Sequence, residues 1–362
     1  MSIFVTVASY RDAELPKTIK SLYDNADDKD GLYFGIVNQD HKNKHAEFPY
    51  INPSNIKNYK MHFKDAKGAG YARKIGMSLY EGQDFFFQTD SHMRFSQGWD
   101  TDLKNMMQQA QELAQNQRAI LSQFPAPYEP FTDGTDYYPK GDPLYWDNPS
   151  WTSVVNTWHG YWAGNREKIR DLSKPHKSHT ILAGLLFAPG NFVDEIPYDE
   201  RISFMGEELC IALRAYTRGW DIYAPNKMIA WHFYQRKKNP KIWNDQINKA
   251  KWNTLEFESR KIQRKILLAE EEGIFGIADY QKYLDYQKMI GFEFLDVYEN
   301  DLREKENLGS ITQDIIFDDN FNIIETAKTG FCRINKHEKC FSLDICICSC
   351  HDIKGAKNAR RK

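Results

Sequence analysis

Residues 85–92 read Phe-Phe-Phe-Gln-Thr-Asp-Ser-His. Three consecutive phenylalanines leave no face of an extended strand for water, so the segment belongs inside a sheet covered on both sides, the usual situation of a parallel sheet. The polar residues that follow at once, Asp90 and His92, then fall at the carboxyl end of that strand, where open α/β sheets bind their ligands. Upstream, Ile3–Ala8 is a β-branched run ending in Ser9-Tyr10-Arg11-Asp12, followed by Leu15, Ile19 and Leu22 at helical spacing behind Pro16. Leu32–Val37 reads as a second buried strand and Tyr59–Phe63 as a weaker third. Gly68-Ala69-Gly70-Tyr71-Ala72-Arg73-Lys74-Ile75-Gly76 opens another helix. Alternating strands and helices over the first hundred residues predict a doubly wound α/β domain.

Beyond it, residues 124–165 are rich in Pro, Tyr, Trp, Asp and Gly without periodicity and read as one long loop, of the kind that forms lids or binding surfaces. Strands are expected at Ile181–Ala188, at Asp221–Ala224 and before Trp231-His232, with a helix over 207–218. A charged amphipathic stretch, 242–272, reads as helix. Three regions result: an α/β domain over 1–240, a helical extension over 241–295, and a β-like, cysteine-rich appendage over 296–362.

Composition excludes several classes. With 362 residues, 41% hydrophobic and 14% aromatic, the chain can bury a large core. A formal net charge of −2, from 48 basic and 50 acidic residues, gives no global field for nucleic acid. No apolar run reaches the length of a membrane span and no leader pattern opens the chain, so a cytoplasmic protein is expected.

Asp90 and His92, two apart after a rigid strand, can project into one cavity, and His232 ends another apolar run. A divalent ion held by these three would keep positions open for phosphate oxygens. Alone, such a pair is most often a turn cap beside structural histidines. Arg73, in the first turn of its helix, can meet a phosphate or ribose, or be a plain surface charge. Glu207-Glu208 at a helix start complement the macrodipole whether or not they do anything else.

Read in order, Asp90-Ser91-His92, Ala183–Ala188, Pro197-Tyr198-Asp199, Gly206-Glu207-Glu208 and Trp231-His232-Phe233 resemble the core of the retaining polypeptide N-acetylgalactosaminyltransferases. With Val5–Asp12, Lys241-Ile242-Trp243 and residues 275–292 included, the text resembles glycosyltransferase family 60 more closely, the N-acetylglucosaminyltransferases directed at hydroxyproline, serine or threonine. The resemblance covers about residues 2–295. It implies a GT-A fold, Rossmann-like and nucleotide-sugar-binding, with Mn2+ or Mg2+ on Asp90, His92 and His232. It further implies a UDP-sugar donor bound by Ser9, Tyr10 and Arg11, with Arg73 at the diphosphate or ribose. Ala183 and Gly184 would border the donor sugar, and Glu207 or Glu208 would orient the sugar or the acceptor hydroxyl. The chain departs from the galactosaminyltransferases in two places. Phe204-Met205-Gly206 precedes the acids, leaving open which glutamate acts. Gln235 stands where a phosphate-binding arginine is expected, with Arg236 next as the candidate.

The implied reaction is retaining transfer of N-acetylglucosamine to a hydroxyl of a protein or glycan. A polysaccharide- or glycolipid-building transferase using another UDP-sugar, a non-catalytic nucleotide-sugar-binding regulator and a phosphate-ester hydrolase are the alternatives. In the tail, Cys332, Cys340, Cys346, Cys348, Cys350 and His351 admit a structural zinc site, but their spacing is not that of a Cys-X-X-Cys knuckle and equally suits a disulfide-bonded or reduced tail. The basic end, 358–362, could touch an anionic membrane surface, though a solubilising terminus is the simpler expectation.

Overall fold

The computed structural model describes all residues except 41–46, 132–134, 139–143, 153–160, 237–238, 244–248, 308–315, 318–322 and 326–362. The elements run β1 (Ile3–Tyr10), α1 (Leu15–Asp24), β2 (Leu32–Gln39), β3 (Ile56–Lys60), α2 (Ala69–Met77), β4 (Phe85–Asp90), β5 (Met93–Phe95), α3 (Trp99–Ala114), β6 (Ala119–Ser122) and β7 (Ala126–Pro127). Next come β8 (Glu129–Pro130), β9 (Asp136–Tyr137), β10 (Tyr145–Thr152), β11 (Tyr161–Lys168), β12 (His176–Lys177), β13 (Leu185–Pro189), α4 (Phe192–Glu195), α5 (Glu207–Thr217), β14 (Asp221–Ala224) and β15 (Ala230–His232). The last are α6 (Lys249–Leu267), α7 (Tyr280–Ile290), α8 (Phe294–Asn307), β16 (Ile316–Phe317) and β17 (Ile323–Glu325).

Eight strands form one sheet in the order β12-β14-β6-β13-β4-β1-β2-β3. The block β3-β2-β1-β4 is parallel throughout, whereas β13 runs antiparallel to both β4 and β6. Because β2 and β4 flank β1, the chain leaves β1 first to one side and later to the other, which opens a crevice at the carboxyl ends of β1 and β4. The phenylalanine run behaves as its composition demands. Phe85 and Phe87 join a core with Val5, Leu15, Ile19, Trp99 and Leu103, while Phe86 packs on the opposite face with Phe4, Phe192, Ile211 and Trp220. Helices α1 and α3 contribute to the first layer, and α4 and α5 to the second. The fold is therefore mixed α/β around a large, parallel-rich sheet.

A second sheet, β5-β15-β7, has three short strands. It sets His232 opposite Met93 and Trp231 opposite Arg94. The phenolic and indole rings of 124–165 were expected in a single loop, but the segment contains β7, the β8–β9 hairpin and the paired β10 and β11. Their Asp, Asn, Pro and Gly content hides the alternation that marks strands. Residues 181–184 turn rather than extend, closed by a bridge between Leu182 and Leu185, so the strand begins at Leu185.

Two compact units emerge: 1–150 with 163–291, and 151–162 with 292–362. In the first, α5 packs against α6 and α7. In the second, the described elements are α8 and the β16–β17 pair. The tail residues Cys332, Cys340, Cys346, Cys348, Cys350 and His351, and the basic end 358–362, lie outside the described residues.

Candidate active site

The parallel register pairs Ala8 of β1 with Asp90 of β4, so the two strands deliver their polar ends to the same crevice. Ser9, between the cavity-lining Ala8 and Tyr10, is buried outside the lining, its Oγ without a hydrogen-bond partner among the described residues. Tyr10 lines the cavity and packs with Ala66, Ile242 and Trp252. Arg11 adopts φ +49°, and its guanidinium lies 4.5 Å from the Phe63 ring centroid instead of in the cavity lining. Gly68 precedes α2 at φ +109°; a Cβ there would come within 2.2 Å of the Ser203 carbonyl oxygen, so only glycine lets this wall approach so closely.

Asp90, His92 and His232 converge. Each offers a ligand atom, and the three atoms lie within 4.8 Å of one another. His232 Nε2 is 3.3 Å from Asp90 Oδ2, and the two imidazoles sit edge to face at 4.4 Å. The small sheet explains the meeting: Phe233 N–H donates to the His92 carbonyl, which locks the backbone of the distal histidine beside the proximal one. His92 Nδ1 lies 2.9 Å from Asp12 Oδ2. A carboxylate can only accept, so Nδ1 carries the proton and Nε2 is left as the ligand atom. Burial, against the hydrogen bond to Asp90, pushes His232 down to about 4 and keeps its imidazole neutral, the form that binds metal. Burial opposes ionisation of Asp90 as well, but His232 and the Arg73 charge outweigh it and hold that carboxyl well below its ordinary value. One carboxylate and two imidazoles, with His232 Nδ1 buried and unpartnered among the described residues, form a donor set that fits a divalent transition metal.

Behind this cluster lies a buried charge network. Arg73 is 6% exposed; one arm of its guanidinium donates to Glu207 Oε1 and the other to Asp90 Oδ1 at 3.1 Å. Gly206, at φ +88° in the left-handed region, starts α5 so that Glu207 faces inward. Glu208 accepts the Ala183 N–H at 2.7 Å, and Thr89 Oγ1 donates to the Gly184 carbonyl at 2.9 Å. A Cβ on Gly184 would stand 3.2 Å from Asp90 Oδ2, so this residue borders the ligand cluster directly. Burial, working against Arg73 and reinforced by the charge of Asp90, pushes Glu207 up to about 7. Burial lifts Glu208 to about 7 too, against its hydrogen bond from Ala183. One guanidinium among three carboxylates cannot neutralise them all.

Tyr10, Arg73, Asp90, His92, His232 and Arg236 thus line the crevice, Ala183, Gly184, Glu207 and Glu208 stand immediately behind it, Ser9 is buried outside the lining, and Arg11 is turned onto Phe63. Sequence reasoning assigned no task to Asp12, whose carboxylate contacts both His92 and Arg236. The one available signal was its place at the end of the Ser9–Asp12 segment. Gln88 was also passed over; its Nε2 donates to the Ala183 carbonyl and to the Tyr198 hydroxyl, fixing the 183–184 turn.

Residues 2–49 and 43–294 match the family described as Glycosyltransferase (GlcNAc). The chain belongs to that family. No curated protein matches it. Among solved structures, this glycosyltransferase is similar to GalNAc-T7, crystallised with UDP, GalNAc and Mn2+, with a TM-score of 0.51 and 13% identity over 84% of its own chain and 58% of the other. It therefore spans little more than half of that chain, and the likeness is one of fold. Staphylococcus aureus TarS 1-349 in complex with UDP-GlcNAc matches with a TM-score of 0.46 and 12% identity, over 86% of this chain and 80% of that one. Among the described residues of this family member, no helix is long and apolar enough to cross a membrane.

Proposed function

We propose that the protein transfers N-acetylglucosamine from UDP-N-acetylglucosamine to a hydroxyl, with the sugar's α configuration retained, as a cytoplasmic member of the glycosyltransferase family 60 branch. The observation that carries the reading is the Asp90–His92–His232 cluster at the switch point of a sheet whose chain belongs to a GlcNAc glycosyltransferase family. Mn2+ suits two imidazole ligands better than Mg2+, which favours oxygen donors. GalNAc-T7, similar in fold, binds Mn2+ together with UDP. The reading divides the chain into a catalytic domain over 1–240, a helical extension over 241–295 and an appendage over 296–362.

When bound, such an ion places positive charge against the diphosphate as it departs. The protein's own residues do the rest. Asp90, His92 and His232 hold the ion. Arg236 lines the same cavity as a second cation for the diphosphate. Tyr10, which lines the cavity, meets the nucleoside. Gly184 keeps the space beside Asp90 open for the sugar, and Glu207 or Glu208, protonated near neutrality, can hydrogen-bond it. The acceptor oxygen attacks C1 on the face the diphosphate leaves; the C1–O bond to the β-phosphate breaks, and the acceptor proton passes to that phosphate. No strong protein base is required, so catalysis rests on positioning and electrostatics. The acceptor is a serine, threonine or hydroxyproline of a protein, or a glycan. Tyr137 and Tyr138, both exposed, with Tyr138 5.0 Å from Trp231, offer aromatic faces near the distal histidine.

Incubation with UDP-sugars, Mn2+ and candidate hydroxyl acceptors tests the reading by UDP release. Release that rises with acceptor and is greatest with UDP-N-acetylglucosamine is expected. Replacing Asp90 or His232 with Ala should reduce it by at least about a thousandfold while the fold persists. Wild-type turnover in either variant would remove the metal site from the mechanism, and binding without release would make the protein a sensor.

A further inference from the structure

Asp12 follows β1, and its side chain is 1% exposed. Its Oδ2 receives three donors: His92 Nδ1 at 2.9 Å, Ser91 Oγ at 2.8 Å and an Arg236 NH1 at 2.8 Å. Its Oδ1 accepts the Glu14 N–H at 3.0 Å, which fixes the carboxylate's own orientation within its turn. Three separate stretches of chain meet on this group: the exit of β1, the turn between β4 and β5, and the segment that leaves β15 just after His232.

We propose that Asp12 is the positioning residue of the Asp90–His92–His232 centre, selecting the tautomer and ring orientation of His92 and tying them to Arg236 through a single carboxylate. The inference rests on the metal reading above. A buried carboxylate on Nδ1 forces the proton there and leaves the Nε2 lone pair for the ion, while the hydrogen bond stops rotation of the ring. Ser91 adds a second restraint, since its Oγ shares the same oxygen. Arg236 supplies the charge that makes an ionised Asp12 tolerable in a buried place. Removing Asp12 therefore does more than weaken a turn: it frees the imidazole to rotate or to change tautomer, and it leaves Arg236 without its carboxylate.

The test is Mn2+ affinity of the full chain, without nucleotide, read from the free-ion electron paramagnetic resonance signal. Asp12→Ala should weaken binding about 10- to 100-fold, the range for loss of a carboxylate behind a ligating histidine. In Asp12→Asn a carbonyl oxygen can still accept from Nδ1, so a smaller loss of at least about threefold is expected. A loss in Asp12→Asn equal to that in Asp12→Ala also supports the proposal and assigns the effect to the charge. If Asp12→Ala fails to fold, Asp12→Asn decides alone. On the metal-free protein, selective 15N-histidine labelling supplies a second readout: a downfield Nδ1 proton of His92, present in the wild type and absent from Asp12→Ala. Wild-type affinity in the folded Asp12 variants overturns the positioning role while leaving the metal site standing. Absence of Mn2+ binding by the wild type, or binding unchanged by Asp90→Ala, overturns the metal reading itself.

Discussion

At the scale of single residues, the cavity is governed by an imbalance of charge. Arg73 serves Glu207 and Asp90 at once, Glu208 is nearby, and burial raises both glutamates to about 7. Since the folded value lies above the ordinary 4.5, the protonated form is favoured by folding. The associated stability is full below about pH 4.5 and is lost as pH rises through about 7. In metal-free protein, wild type should accordingly lose more melting temperature between pH 5 and 7.5 than Glu207→Gln, which cannot ionise. Parallel curves for the two proteins would reject the raised value. The three members of the candidate cluster were legible in sequence because Asp90 and His92 stand two apart on a strand end and His232 ends an apolar run. Asp12 was not, because its partners lie 80 and 224 residues away and nothing local marks a carboxylate that works through others.

Among elements, β4 was the most legible because burial on both faces leaves a direct trace in composition. Phe86 is fully buried between Phe4, at 6.3 Å between ring centroids, and Phe192, at 6.0 Å. Phe86→Ala removes this packing without touching the crevice and should destabilise by about 3–5 kcal/mol in denaturant titration. A loss below about 1 kcal/mol would show that the second layer packs loosely. The β10–β11 pair stayed hidden because strands made of Asn, Pro, Ser, Gly and Trp carry no period-2 signal. The early start expected for β13 has a different cause. Ile181, Leu182 and Ala183 are as buried as a strand residue would be, yet the chain turns there, and hydrophobicity reports burial without reporting direction.

For the whole molecule, the family match over residues 2–49 and 43–294 coincides with the large sheet and the helices packed on it. Ligand-linked stability follows from where the three candidate metal ligands sit. Asp90 belongs to the large sheet and His232 to the small one, with His92 between β4 and β5. An ion binding only the folded state should stabilise it by about 2.7 kcal/mol at a hundred times its Kd. Mn2+ should therefore raise the melting temperature of the EDTA-treated wild type and leave that of Asp90→Ala unchanged; an equal rise in both would mean that the ion acts elsewhere.

The pairing of β15 with β5 on one side and β7 on the other holds the backbone of His232 beside that of His92. The 96–229 stretch begins and ends at this clasp, and β7 within it pairs with Trp231 and His232, so surface segments outside β7 and the large sheet can lengthen, shorten or be exchanged without disturbing that pairing. Such a chain can acquire a new acceptor by rewriting its surface between two fixed histidines, which makes grafting of the β10–β11 segment, 145–168, beyond the β7 pairing, the natural route to altered specificity.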